Sequence, residues 1–312
     1  MMEALKVTEE LLFKKYEAID THHVPLVFIL ASLRTGSTPF YQLLINAFDF
    51  FYFTNFIHTN FTEYPAVGAA LNPVLDPGLP VSYESEYGKT KGDFDPSEGS
   101  LIFRHWFGGE HPSETHSARV LPGRQEHLIA TFKTIYGLTG KTVLTKNAWN
   151  VFRIQAWSSL FPQAVFIWLH RDIRLAAFSD LKARYLRGSA HVWNSATPAN
   201  YLEIQRLPYW EQVVEQQYAY NRVIERDLTR FCKGRYLEMW YEDVFSKTDA
   251  SLTQLQTFFK SACFDVRMKS TAQIRLQPSR GEIPNEDFKK IVGYVGENHE
   301  RFASFIKSQA MI

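Results

Sequence analysis

From Val24 to Ala31 the chain is apolar almost without interruption, and a helical pattern begins only a few residues later. A strand covered on both faces reads this way, because neither face carries polar alternation. Thr38 can cap the helix, and Pro39 falls in its first turn, where a missing N–H costs nothing. Phe40, Leu43, Leu44, Ala47 and Phe48 then recur at helical spacing, giving one apolar face for a sheet. The connection holds Arg34, Thr35, Gly36, Ser37 and Thr38, so a fixed cation, hydroxyl donors and backbone N–H groups converge on one point. Such a junction holds an oxyanion. It is not the nucleoside triphosphatase loop, which spaces its glycines by four residues and ends in Lys-Ser/Thr.

A second junction repeats the theme. Ala164 to His170 is another buried-strand run, Arg171 and Asp172 end it, and a helix is predicted from about Ile173 to Arg187. Ser179 falls eight residues after Arg171, on a face with Leu175, Ala183 and Leu186, which turns its hydroxyl inward. Between Arg171 and Arg187 five basic residues stand against two acidic ones, which suits a polyanionic ligand or a solvated helix face. Arg235 to Phe245 reads as a further strand followed by a helix start, which Glu242 and Asp243 stabilise through its dipole.

The sequence Arg34-Thr-Gly-Ser-Thr38 after a strand resembles the 5′-phosphosulfate loop of sulfotransferases that use 3′-phosphoadenosine 5′-phosphosulfate (PAPS). Arg171 and Ser179 are similar to the pair with which that family holds the 3′-phosphate, and Tyr241-Glu-Asp-Val244 is similar to its Tyr-Glu-Asp-Leu segment. The resemblance spans about residues 24 to 282 and is strongest at the two anion sites. It implies a P-loop-like, three-layer α/β fold with a central parallel sheet flanked by helices. The alternation of strands and helices points the same way. One domain over residues 1–312 is expected, with the phosphosulfate loop in 24–55, an acceptor-side cover in 56–140, and the 3′-phosphate site and remaining core in 141–290.

For the site, the resemblance implies that Arg34 contacts the bridging oxygen of PAPS. Ser37 and Thr38, with the N–H groups of Thr35, Gly36 and their neighbours, would hold the 5′-phosphate. Arg171 and Ser179 would hold the 3′-phosphate, and Arg280, in Arg275-Leu-Gln-Pro-Ser-Arg-Gly281, stands where the family places a basic loop that closes on it. The product would be adenosine 3′,5′-bisphosphate, with no metal required. Sulfuryl transfer, like phosphoryl transfer, then depends on positioning and electrostatics.

Many relatives carry a histidine just after a strand-end lysine, where this chain reads Lys146-Asn-Ala-Trp-Asn150 and has none. A general base must come from elsewhere. Glu98 is the first candidate, because it ends a breaker-rich stretch and opens an apolar helix; His105, seven residues on, shares its face if the helix includes both, and Glu63 is a third. A carboxylate base of ordinary acidity fails only below about pH 4–5, a histidine near pH 6–7.

Elsewhere, residues 1–23 are expected to form a peripheral helix, Phe50–Asn55 a second strand, and 72–99, with four prolines and four glycines, an irregular acceptor-side cover. Helices are expected at 124–137, 151–160 and 208–232, and a strand at 142–145. With 34 basic and 33 acidic residues the chain is no general nucleic-acid binder. Cys232 and Cys263 have neither disulfide-framework nor metal-ligand spacing. The first residues lack the apolar core of a signal peptide and no stretch approaches eighteen apolar residues, so a cytoplasmic protein without a transmembrane segment is expected. The acceptor would be a small molecule, glycan or lipid, attacked through a hydroxyl in preference to an amine. A P-loop-like ATP-dependent kinase and a non-catalytic nucleotide-binding relative are the alternatives; nothing in the sequence sets the oligomeric state.

Overall fold

The computed structural model describes residues 2–85, 89–109, 119–269 and 285–307. A peripheral helix α1 (Met2–Lys15) precedes β1 (Leu26–Ala31) and α2 (Ser37–Ala47), after which α3 (Asn55–Asn60), α4 (Pro65–Leu75), α5 (Ser100–Phe107) and α6 (Gln125–Thr139) lead to β2 (Val143–Lys146). Next come α7 (Ile154–Leu160), β3 (Val165–His170), α8 (Ile173–Leu186), the short α9 (Tyr201–Ile204) and the long α10 (Tyr209–Phe231). The chain continues through β4 (Tyr236–Trp240), α11 (Tyr241–Ser246), α12 (Thr248–Ser261), α13 (Glu286–Glu297) and α14 (His299–Phe302).

The four strands form one parallel sheet in the order β2-β1-β3-β4. Alternate residues of β1 enter separate cores. Leu26, Phe28 and Leu30 pack with Trp157, Phe166 and Tyr220, whereas Val27, Ile29 and Ala31 pack with Leu43, Leu44 and Phe259. Both faces are therefore dry, and full burial of each such side chain contributes roughly 1.5–3 kcal/mol. The three-layer α/β architecture is as expected from the apolar runs.

Strand order reverses between β1 and β3, and in open α/β sheets ligands collect at that reversal, beyond the carboxyl ends of the strands. Register brings the junctions together there: Ala31 lies opposite Leu169, and Ile29 lies between Lys146 and Ile167. The chain segments carrying Arg34, Lys146 and Arg171 thus leave the sheet side by side.

Several expectations are corrected. Phe50–Asn55 is not a strand; it is extended, with Phe51 bridged to Val143 and Thr54 to Pro96, and its phenylalanines alternate between the two cores without a ladder. Pro73 is accommodated inside α4, which delays the irregular stretch until after Leu75. Gly36, in left-handed conformation, takes the N-cap of α2 with no side-chain cap, so Thr38 lies within the first turn. The predicted helix at 151–160 is a 3-10 turn over Ala148–Phe152 followed by α7. Among the described residues no helix is long and apolar enough to cross a membrane.

Candidate active site

The β1–α2 connection is held from within. Thr35 is buried and its hydroxyl donates to the Ser32 carbonyl at 3.0 Å, leaving only its backbone for a ligand. Arg34 is one of three non-glycine residues with positive φ among those described (58°), a conformation that costs an L-residue about 1–2 kcal/mol. This kink sends the guanidinium across to the second junction, where Nε donates to Ser179 Oγ at 3.3 Å. Gly36 has φ 80°, and a Cβ there would lie 2.3 Å from the Tyr241 ring. The glycine is required both by its conformation and by that ring.

Arg171 completes the link, its Nη1 donating to the Arg34 carbonyl at 2.7 Å. The guanidinium lies 4.9 Å from the centroid of Tyr241, so one ring braces both the loop and the arginine. Arg171 Nε is buried without a hydrogen-bond partner. Burial pulls this guanidinium below the ordinary arginine value, against the opposing pull of Tyr241, Glu242 and Asp172. Ser179 is half-buried, because of its presumed face-mates only Ala183 is buried, Leu175 is partly so and Leu186 is 69% exposed.

Lys146, at the end of β2, donates to Thr38 Oγ1 at 3.3 Å and pairs with the Glu98 carboxylate. Through Lys146, Glu98 therefore adjoins the β1–α2 connection. Asn147 fixes the backbone there, its Nδ2 donating to Glu98 O at 2.9 Å and to Ser100 Oγ at 3.3 Å. Lys146 and Asn147 tie the segment before α5 to β2; a strand-end lysine was legible in the sequence, but not its partner 48 residues away.

His105 does not join this group. Gly99, at φ 62°, turns the chain between Glu98 and α5, which breaks the supposed shared face. His105 Nε2 accepts from Arg124 Nη1 at 3.1 Å and its ring meets that of His127, while the exposed Glu63 is within electrostatic reach. Burial, followed by the Arg124 charge, lowers the His105 pKa to about 4. Between that value and about 6.5 the unfolded chain binds a proton that the folded chain excludes, so stability falls as pH drops through this window. His105→Gln is expected to flatten that part of a pH–melting-temperature profile without slowing turnover; an unchanged profile would show that the ring titrates normally. Arg280 lies outside the described residues.

Part of the charge on α8 is spent inside the protein and does not face solvent. Arg184 and Asp180 are fully buried and paired at 3.1 Å, with Arg184 also donating to Gln212 and Gln216, and Asp180 accepting from Asn194. Asp172 has both oxygens committed, to Arg174 and to the Lys307 N–H. That leaves the kinase alternative without the strand-end carboxylate it would use for Mg²⁺. Glu242 and Asp243 do stand in the first turn of α11, as expected, and additionally hold the Asp172 N–H and Lys307.

Comparison with known proteins identifies the family and the fold. A model of the sulfotransferase family matches residues 25–265. Sulfotransferase STF9 from Mycobacterium avium superposes with TM-score 0.52 at 14% identity, covering 91% of this chain and 70% of that one. Sulfotransferase STF1 from Mycobacterium tuberculosis H37Rv gives TM-score 0.49 at 13% identity, over 95% and 81% of the two chains. At such identities the structural likeness concerns the fold. No curated protein matches by sequence. The family match spans the β1–α2 and β3–α8 junctions and most of the chain, and by it this protein belongs to the sulfotransferase family.

Proposed function

We propose that the protein transfers the sulfuryl group of PAPS to a hydroxyl of a small molecule, glycan or lipid by in-line displacement. The observation that carries this reading is the joining of the two junctions: Arg34 reaches Ser179 while Arg171 holds the Arg34 carbonyl. Two phosphates on one ligand would engage such a pair of sites together. The orphaned Arg171 Nε suits an anion at the second junction, and the first turn of α2, which has no side-chain cap, suits one at the first. When bound, PAPS supplies the electrophilic sulfuryl group and a phosphate leaving group.

In this reading Ser37, Thr38 and the first N–H groups of α2 hold the 5′-phosphate, while Arg171 and Ser179 hold the 3′-phosphate. Arg34, between them, stabilises charge developing on the bridging oxygen. Glu98 accepts the acceptor's proton, and the segment before α5 faces the acceptor. The kinase alternative finds no support in Asp172, and turnover separates an enzyme from a nucleotide-binding relative.

Calorimetric titration with nucleotides tests the paired sites. Adenosine 3′,5′-bisphosphate should bind much more tightly than 5′-AMP or ATP with Mg²⁺. Charge-assisted bonds contribute roughly 1.5–3 kcal/mol each, so Arg171→Ala should weaken the bisphosphate about tenfold or more and narrow its advantage over 5′-AMP. Equal affinity of the wild type for the bisphosphate and 5′-AMP would sink the assignment. An Arg171→Ala variant that melts lower yet keeps the preference would reduce Arg171 to a brace.

A further inference from the structure

Glu98 belongs to a segment with no regular structure before Ser100, yet its backbone is closely held. Residues 93–97 are zipped onto the start of α3: Phe56 N donates to Asp93 O at 2.6 Å, Asn55 N to Asp95 O at 3.0 Å, and Ser97 N to Phe53 O at 2.7 Å. Beyond Ser97 this zipper ends, and a side chain takes over. His58 Nδ1 lies 2.9 Å from Ser97 Oγ, and His58 Nε2 accepts the Leu101 N–H at 3.2 Å. One imidazole thus grips the chain on either side of Glu98. Asn147 grips Glu98 itself from the sheet side.

The bonding fixes the ring's protonation. Nε2 accepts from a backbone N–H, so it carries no proton, and Nδ1 carries the single proton and donates it to Ser97 Oγ. Ser97 Oγ also accepts the Gly99 N–H at 3.2 Å, which draws the left-handed turn at Gly99 into the same clamp. The Leu101 N–H belongs to the first turn of α5, whose N-cap Gly99 offers no side chain, so the remote imidazole satisfies one of the helix's orphan donors. The ring is itself well placed: His58 N bonds to Thr54 O at 2.9 Å, and Thr62 Oγ1 donates to the His58 carbonyl at 2.8 Å.

We infer that His58, acting as a neutral imidazole through both ring nitrogens, is the positioning residue that holds Glu98 beside Lys146. It touches neither proposed ligand, and its effect on turnover rests on the reading of Glu98 as base. A protonated ring would present a donor to the Leu101 N–H and release the first turn of α5. The charged groups facing it are Glu98, which favours protonation, and Lys89, which opposes it; the Asp95 carboxylate is turned back onto the Gly92 N–H. Burial is the largest influence and lowers the His58 pKa below 6.5. The clamp is complete at neutral pH and is lost as pH falls through that lowered value.

NMR on the full chain tests the clamp without any turnover. Imidazole ¹⁵N shifts at neutral pH should report an Nδ1-protonated neutral ring at His58, and the Leu101 amide signal should titrate with that ring. In His58→Ala, exchange of the Leu101 amide should quicken about tenfold, the worth of one hydrogen bond near 1.4 kcal/mol, while circular dichroism and affinity for adenosine 3′,5′-bisphosphate stay near wild type. Release of the bisphosphate from PAPS across a panel of hydroxyl acceptors should slow by a similar factor. A wild-type ring protonated on Nε2, or a Leu101 amide indifferent to its titration, overturns the inference even if the variant fails to fold. Faster Leu101 exchange with undiminished turnover overturns the positioning role. A clamp that behaves as described in a wild type inert toward PAPS supports the inference and defeats the sulfuryl-transfer reading instead.

Discussion

Arg34→Ala is expected to slow sulfuryl transfer by about 10² or more while the affinity for adenosine 3′,5′-bisphosphate falls far less. The asymmetry follows from where the residue's contacts originate. Its side chain bonds to Ser179, but its link to Arg171 runs through the backbone carbonyl, which alanine retains. The 3′ site should survive the substitution, and what disappears is a cation pre-aimed at charge that develops only in the transition state. Alanine keeps the unfavourable left-handed backbone as well, so the variant should melt slightly below wild type rather than above it. Arg34→Lys should recover part of the rate, since a point charge suffices at a bridging oxygen, yet not all of it, since lysine lacks the Nε–H that meets Ser179. Stopped-flow or steady-state release of the bisphosphate from PAPS measures both effects. Near-normal turnover in Arg34→Ala would move the role to another cation, and Lys146, in contact with Thr38, is the one to substitute next.

What the sequence disclosed, and what it withheld, follows the range of the interactions involved. The turn around Gly36 and the helix carrying Ser179 are written in consecutive residues, and the buried strands announce themselves by unbroken apolar runs. Contacts set by strand register were not legible: Arg34 with Ser179, 145 residues apart, and Lys146 with Glu98. Phe50–Asn55 has the period of a strand because its phenylalanines do alternate between cores, but the sheet edge engages it only at Phe51. His105 was drawn toward Glu98 by counting along a helix that Gly99 starts later. Arg184 and Asp180 looked like solvated charges because nothing local says that Gln212, Gln216 and Asn194 will close over them.

Glu98→Gln should reduce turnover by about 10²–10⁴, the usual contribution of a general base, with no loss of nucleotide binding. In the resting structure Lys146 is divided between the Glu98 carboxylate and Thr38 of the anion loop, with only 9% of its side chain exposed. Glutamine preserves the size of the side chain but removes its charge, leaving the buried ammonium without its counter-ion. An anion arriving at Thr38 then meets a less compensated cation, so adenosine 3′,5′-bisphosphate should bind as tightly as before or about severalfold more tightly. Slower chemistry with undiminished product binding is a combination that general damage to the site does not produce. Loss of binding together with turnover would mean that the carboxylate merely holds Lys146 and the loop in place. Full activity in Glu98→Gln, measured with a competent hydroxyl acceptor, would remove Glu98 from the reaction and leave the segment before α5 as a cover over a base located elsewhere.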